Sequence, residues 1–267
     1  FYIVLMIYRM IILFLLVACG ETHYSPYHAE VARLDHNQTN LSKVLSMPQS
    51  QHLTKTTRFS FAVISDTHDY YDGLEKQIRY INKNAERYDF VIVSGDMTNV
   101  GLASEFKATK DRLDKLKIPY LTTSGNHDLL IDGKKIYQRL FGKDTYSFIY
   151  LNTKFVLYNN NNWESASHIP DMNWLEHELQ NNESENLIVI SHVAPNDPDR
   201  FSKTEIKQTI ELLNRYQVNY YINGHNHNPG EDKLGETTHL TAGASSKDVL
   251  LELNIFGRNI SHAFINL

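Results

Sequence analysis

From Arg58 onward, compact apolar runs alternate with amphipathic stretches, a rhythm that predicts βαβ units around a largely parallel sheet. Residues 59–65 predict a first strand, 73–87 a helix and 90–94 a second strand. Residues 101–117 predict a helix that stops before Pro119, followed by a third strand over 120–123. A helix over 172–180, a strand over 187–191, a helix over 202–215 and a strand over 218–223 complete the alternation. Ser202-Lys203-Thr204-Glu205 places a capping box at the start of the 202–215 helix. Two hairpins are expected, 146–150 with 155–158 about Asn152-Thr153, and 249–255 with 260–265 about Gly257-Arg258-Asn259. A mixed sheet, or two stacked sheets with outer helices, follows.

Upstream the pattern changes. Residues 1–18 are apolar apart from Arg9 and run into Cys19, the one cysteine in the chain. As a membrane span this stretch is marginal, because it barely reaches ~20 residues and a mid-span Arg costs about 2.5–3.5 kcal/mol. A signal peptide accommodates Arg9 better, as its charged leading region. Leu16-Val17-Ala18-Cys19 resembles a bacterial lipobox, so the expected organisation is a signal peptide over 1–18, a lipidated Cys19 with a polar tether over 19–57, and a globular domain over 58–267. The expected location is the cell envelope, outside the cytoplasm and lipid-anchored at Cys19; an uncleaved anchor and a soluble fragment are the alternatives. A short helix near residues 31–45 fits the tether without suggesting chemistry.

Composition narrows the partners. A net charge of −5 gives no general attraction to nucleic acid or anionic membrane, so affinity for a phosphate has to be created locally. With no cysteine after Cys19, stability rests on packing and on any metal.

Five short motifs supply the candidate chemistry: Asp66-Thr67-His68, Gly95-Asp96, Gly125-Asn126-His127-Asp128, His192 after an apolar run, and Gly224-His225-Asn226-His227. Each alone is short enough to arise by chance. Their placement is not random, because every one follows a predicted strand, and in open α/β sheets ligands collect beyond the carboxyl ends of strands. Ligands two residues apart in Asp66/His68 and His225/His227 can grip from one side. The glycines permit tight turns and close backbone approach.

These residues resemble the calcineurin-like metallophosphoesterases, whose pattern is Asp-x-His, Gly-Asp, Gly-Asn-His-Asp/Glu, His and Gly-His-x-His; the match spans residues 59–228 with no ligand position missing. The resemblance implies a four-layer αββα sandwich of mixed sheets with outer helices. It also implies two divalent ions, one held by Asp66, His68, Asp96 and His227, the other by Asp96, Asn126, His192 and His225, with Asp96 bridging. Mn, Fe, Zn and Co all suit such mixed N/O ligands. The implied reaction is phosphodiester or phosphomonoester hydrolysis by a dimetal-bridging hydroxide, with His127 facing the leaving group and Asp128 orienting the His127 imidazole. Two divalent ions would outweigh the site's carboxylates and hydroxide, leaving a local positive excess in an acidic protein.

Subgroup patterns narrow the substrate less. Asn99 stands where purple acid phosphatases place a ligand tyrosine, Asp128 where protein phosphatases have Glu, and His127 where lipid A pathway pyrophosphatases have Arg. Glu105 and Phe106 complete a second motif resembling class III cyclic-nucleotide phosphodiesterases. Three readings therefore stand: a small-phosphoester hydrolase, a cyclic-nucleotide phosphodiesterase specifically, and a noncatalytic metal-binding surface protein. Tyr70, Tyr71, Asp72 and Asn99 adjoin the motifs, and the loop of Trp163 and His168 can line the cleft. The remaining histidines, among them His36, His177, His239 and His262, are expected to have structural roles only.

Overall fold

A computed structural model describes residues 31–47, 58–165 and 170–267. The expected signal segment 1–18, Cys19, much of the tether and His168 lie outside the described residues. Among the described residues no helix is long and apolar enough to cross a membrane.

In chain order the first half contains α1 (His36–Ser46), β1 (Arg58–Ile64), α2 (Tyr71–Lys83), β2 (Phe90–Ser94), α3 (Ala103–Leu113), β3 (Tyr120–Thr123), α4 (Gly133–Leu140), β4 (Tyr146–Tyr150) and β5 (Thr153–Leu157). The second half contains α5 (Met172–Gln180), β6 (Asn186–Ile190), α6 (Lys203–Arg215), β7 (Tyr220–Asn223), β8 (Gly230–Leu234), β9 (Thr237–Thr241), β10 (Val249–Phe256) and β11 (Asn259–Asn266). They build two mixed sheets, ordered β11-β10-β1-β2-β3 and β4-β5-β6-β7-β9-β8. Parallel pairing joins β1, β2 and β3 in the first sheet and β5, β6, β7 and β9 in the second, while β10, β11, β4 and β8 pair antiparallel.

Strand alternation creates the layers, because successive side chains leave opposite faces of a sheet. Phe59, Phe61 and Val63 of β1 enter the central core with Phe155, Ile188 and Ile222 of the other sheet, whereas Ala62 and Ile64 face Leu74, Ile78 and Phe106 of α2 and α3. The second sheet does the same, with Val156, Val189 and Tyr221 packing on Leu175 and Leu179 of α5 and Leu212 and Leu213 of α6. The result is the αββα sandwich expected above. In the central layer Phe59, Phe61, Phe90, Phe148, Tyr150 and Phe155 pack with ring centroids 5.0–6.5 Å apart. Burying each such ring contributes about 1.5–3 kcal/mol.

The capping box at the start of α6 forms as expected: Ser202 Oγ accepts from the Glu205 amide at 3.3 Å, and Glu205 accepts from the Ser202 amide at 2.8 Å. Three elements were not anticipated in their final form. Helix α4 and the β8–β9 hairpin lie in stretches that carry no long apolar run. Helix α1 lies inside the segment read as a tether, yet it is docked on β3. Asn37 donates to the carbonyls of Thr122 (3.0 Å) and Lys143 (3.1 Å) and accepts from the Thr122 amide at 2.9 Å. Asn40 donates to the Tyr120 carbonyl at 3.0 Å, and the His36 ring lies 4.1 Å from that of Tyr120.

Candidate metal centre

Loops at the carboxyl ends of β1, β2, β3, β6 and β7 bring all five motifs together. The backbone there is unusual: Asp66 (φ 48), His68 (φ 39), Asp96 (φ 52), His225 (φ 67) and His227 (φ 59) all adopt left-handed conformations. For non-glycine residues this costs roughly 1–2 kcal/mol each, so the surrounding structure holds these side chains in place against local preference. Two glycines make the approach possible. A Cβ on Gly125 would lie 2.1 Å from Asp96 Oδ1, and one on Gly224 would lie 1.8 Å from Ser65 Oγ and 2.4 Å from Asp66 Oδ2.

Asp96 is the centre of the arrangement. Its Oδ2 lies 3.1 Å from Nε2 of His192 and 3.5 Å from Nε2 of His68, while Oδ1 accepts from the His127 amide at 2.9 Å. On one side, a ligand atom from each of Asp66, His68 and His227 lies within 4.8 Å of the others; on the other, the same holds for Asp96, His192 and His225. Asn126 joins the second group, its Oδ1 lying 3.2 Å from His192 Nε2 and 3.1 Å from His225 Nδ1. All seven expected ligands therefore meet in the two expected groups, with Asp96 between them.

Second-layer contacts fix which nitrogen faces inward. His68 Nδ1 donates to the Thr98 carbonyl (3.0 Å) and His192 Nδ1 to the Ser94 carbonyl (2.9 Å), leaving both Nε2 atoms for the cluster. Asp66 accepts from Ser65 Oγ at 2.6 Å and from the His225 amide at 3.0 and 3.1 Å.

The donor set fits cations. Nε2 of His68 is buried without a hydrogen-bond partner, and Asp66, Asp96 and Asp128 are all 1% exposed or less. Buried charges at this density need a counter-charge. Burial lowers the His68 and His225 pKa values, His225 to about 4, which keeps both imidazoles neutral and their lone pairs available. Burial also disfavours charge on His192, but Asp96 and Asp66 outweigh it and raise that pKa to about 9. Burial, reinforced by the Asp96 charge, raises Asp66; burial pushes Asp96 the same way, but His192, His68 and His127 hold it below the usual carboxylate range.

His127 stands apart from the ligands, its ring 4.9 Å from that of His68. Its Nδ1 donates to the Asn99 carbonyl at 2.5 Å, which leaves Nε2 for chemistry. This corrects the role expected of Asp128. Rather than holding the His127 imidazole, the Asp128 carboxylate accepts from the amides of Met97 (2.9 Å), Thr98 (3.0 Å) and Gly125 (3.0 Å) and from Thr98 Oγ1 (3.0 Å). It clamps two motif loops together, and it is the Asn99 backbone that orients the imidazole.

Among the neighbours, Tyr70 sits at the rim, its ring 5.8 Å from His68 and 6.3 Å from His227. Tyr71 turns away to stack under Arg112, 4.0 Å from its guanidinium carbon. Glu105 accepts from the Val100 and Leu102 amides at 3.1 Å, and Phe106 is buried against Tyr137 and Phe141. The two residues that complete the class III pattern thus cap a helix and fill the core. His36, His177, His239 and His262 stay out of the cluster. Asp197, whose Oδ2 lies 3.9 Å from His225 Nε2, was not anticipated, since it belongs to no motif.

The sequence profile described as calcineurin-like phosphoesterase matches residues 59–229, which contain every motif just described. The chain belongs to the calcineurin-like phosphoesterase family. That membership makes it a phosphoester hydrolase with a metal-binding site. A similar protein from Xenorhabdus bovienii, described as a probable cyclic nucleotide phosphodiesterase, is 26% identical over 182 residues, 61% of this chain and 70% of that one. In fold the phosphoesterase resembles the purple acid phosphatase of yellow lupin, with a TM-score of 0.67 and 15% identity over 79% of this chain and 52% of the other. It also resembles a dimetal phosphatase from Danio rerio, with a TM-score of 0.55 and 17% identity over 78% of this chain and 98% of that one.

Proposed function

We propose that this phosphoesterase uses a dinuclear centre to hydrolyse small phosphodiesters, with phosphomonoesters as secondary substrates. The observation that carries the reading is the Asp96 carboxylate, placed between His68 and His192 and so available to both three-residue groups. Asp66, His68, Asp96 and His227 would hold one divalent ion, and Asp96, Asn126, His192 and His225 the other. Ions bound there supply Lewis acidity toward phosphate oxygens and an ionised water at neutral pH.

The chain's own contribution is positioning and proton transfer. Thr98 and Ser94 fix the ligand imidazoles, and Asp128 ties the loop after β2 to the loop after β3. In its imidazolium form His127, whose Nδ1–H is held by the Asn99 carbonyl, gives the Nε2 proton to the departing alkoxide and is left as the neutral imidazole, to be reprotonated from solvent. The phosphodiester preference is supported by the description of the Xenorhabdus relative, and Glu105 and Phe106 add nothing to it, being occupied structurally. Loading the purified chain with Mn²⁺ and assaying bis-p-nitrophenyl phosphate beside p-nitrophenyl phosphate tests the reading. Faster turnover of the diester supports it, and turnover of neither rejects it.

The anchoring of the domain outside the cytoplasm through a lipid on Cys19 is part of the same proposal, supported by Leu16-Val17-Ala18-Cys19. A Cys19→Ser chain should leave the membrane fraction; continued membrane association would reject the lipid anchor.

A further inference from the structure

Beside the Asn126/His225 side of the centre lies a group of residues with no part in the reaction described above. The Asn159–Asn162 run, a simple polar tract in sequence, acts here as a latch. Asn160 donates to the Val193 carbonyl (2.7 Å) and accepts from the Val193 amide (3.0 Å), next to His192. Asn161 donates to the Ser124 carbonyl at 3.0 Å, two residues before Asn126. Asn162 donates to the Arg200 carbonyl at 2.5 Å. The residue that follows, Trp163, is thereby fixed relative to the ligand loops.

Trp163 is 65% exposed, and its ring lies 4.4 Å from the guanidinium carbon of Arg200. Arg200 is buried and clamped by Glu164, Nη1 to Oε1 at 3.1 Å with Nη2 on Oε2. The same turn connects to the metal ligands: the Arg200 amide donates to the Asp197 carbonyl at 3.3 Å, and the Asp197 carboxylate lies 3.9 Å from His225. The buried Arg200 thus lies over one face of an indole that is otherwise largely exposed, a cation–π contact that leaves the rest of the ring open. One face of the indole is covered by Arg200. The platform suits a planar ring on the other face. Its charge is already balanced, since Glu164 neutralises Arg200, so it offers nothing to an anionic head group.

We infer that the Trp163–Arg200 platform is the specificity element of the site, seating an uncharged planar ring of the substrate alcohol, a nucleobase, while the phosphoester occupies the metal centre. This rests on the phosphoesterase reading and narrows its substrate class to nucleotide esters. Trp163 makes the stack, and Arg200, Glu164 and Asn162 position it.

Two esters with one leaving group test the assignment in the Mn²⁺-loaded full chain: thymidine 5′-(p-nitrophenyl phosphate) and methyl p-nitrophenyl phosphate. Trp163→Ala should lower the ratio of kcat/KM between them, nucleoside over methyl, about tenfold, through KM of the nucleoside ester, and Trp163→Phe should restore most of it. An unaltered ratio overturns the inference. A second readout does not depend on turnover. The chain has two tryptophans, so in Trp174→Phe the selectively excited tryptophan emission reports Trp163 alone, and AMP should quench it where ribose 5-phosphate does not. Equal response to both ligands, or to neither, overturns the inference. Quenching by AMP without hydrolysis of any ester would reject the hydrolase reading and leave the platform; hydrolysis with an unaltered ratio and no quenching would do the reverse.

Discussion

The metal-ligand cluster and the α1–β3 dock both bury polar side chains, and they do so by opposite means. In the dock, Asn37 and Asn40 are each 4% exposed, and their amides meet backbone groups of Tyr120, Thr122 and Lys143. Asn40 also donates to His36 Nε2 at 2.7 Å, and burial, assisted by the Lys110 charge, lowers the His36 pKa to about 4, so the helix docks in neutral form. The cluster instead places carboxylates beside one another, leaves His68 Nε2 without a hydrogen bond and holds five ligand residues at positive φ. A satisfied buried amide stabilises a fold. A buried set of donors with unmatched charge and a strained backbone is held in readiness for something else, and in this phosphoesterase that is cations and a phosphoester.

Substitutions should therefore separate the two regions. The largest effect is expected at Asp66. Burial disfavours its charged form, so Asp66→Asn in chelator at pH 7 should be at least as stable as the parent, while kcat/KM with metal falls at least about 10³-fold. Thermal unfolding beside a steady-state assay checks both halves, and a chelated variant that melts well below the parent would break the contrast. His127→Ala comes next. It should lower kcat about 10²–10⁴-fold while metal content by elemental analysis stays as in the parent, because no ligand is removed. Loss of metal in that variant would move His127 into the ligand set.

In the dock the signs reverse. Asn37→Ala leaves the Thr122 amide and the Lys143 carbonyl without that partner, while the Thr122 carbonyl keeps the Tyr146 hydroxyl, and should cost about 1–3 kcal/mol in denaturant unfolding with kcat unchanged. A variant as stable as the parent would return α1 to the status of a tether. At neutral pH the smallest effect is expected at His36, where the signature is a pH dependence. His36 has a folded pKa of about 4 against 6.5 for the free side chain, so the unfolded chain takes the proton first as pH falls. Its contribution is complete above pH 6.5 and is lost progressively between 6.5 and 4. His36→Gln should flatten the decline of Tm across that window relative to the parent, and parallel curves would remove His36 from the account.

The same contrast explains what was legible in the sequence. The cluster could be read because its ligands stand where apolar runs end, at 64, 94, 123, 190 and 223, and strand ends converge in a parallel sheet. The dock could not, because Asn37 and Asn40 read as solvent-facing, and their partners are backbone groups 80 or more positions away. The edge strand β8 was missed for a related reason: Glu231, Asp232 and Lys233 are exposed, so it lacks the apolar alternation that marks a strand. Asp128 shows the limit within a motif. Gly125-Asn126-His127-Asp128 places a carboxylate beside an imidazole in sequence, but a 3-10 turn at His127–Leu129 points the carboxylate back to backbone amides. Asp197 and Arg200 follow no ligand pattern; the Trp163 loop was expected to line the cleft, but the residues that hold it there, Asn160, Asn161 and Asn162, read in sequence only as a simple polar tract.

The proposed dinuclear centre requires that one carboxylate, Asp96, serve two cations. Elemental analysis of the purified full chain after Mn²⁺ loading and removal of free metal tests it most directly, with Asp96→Asn run in parallel. Two ions are expected per parent chain and fewer than one in the variant, since both proposed sites draw on that carboxylate. A parent chain that holds one ion or none, or an Asp96→Asn chain that keeps two, would contradict it.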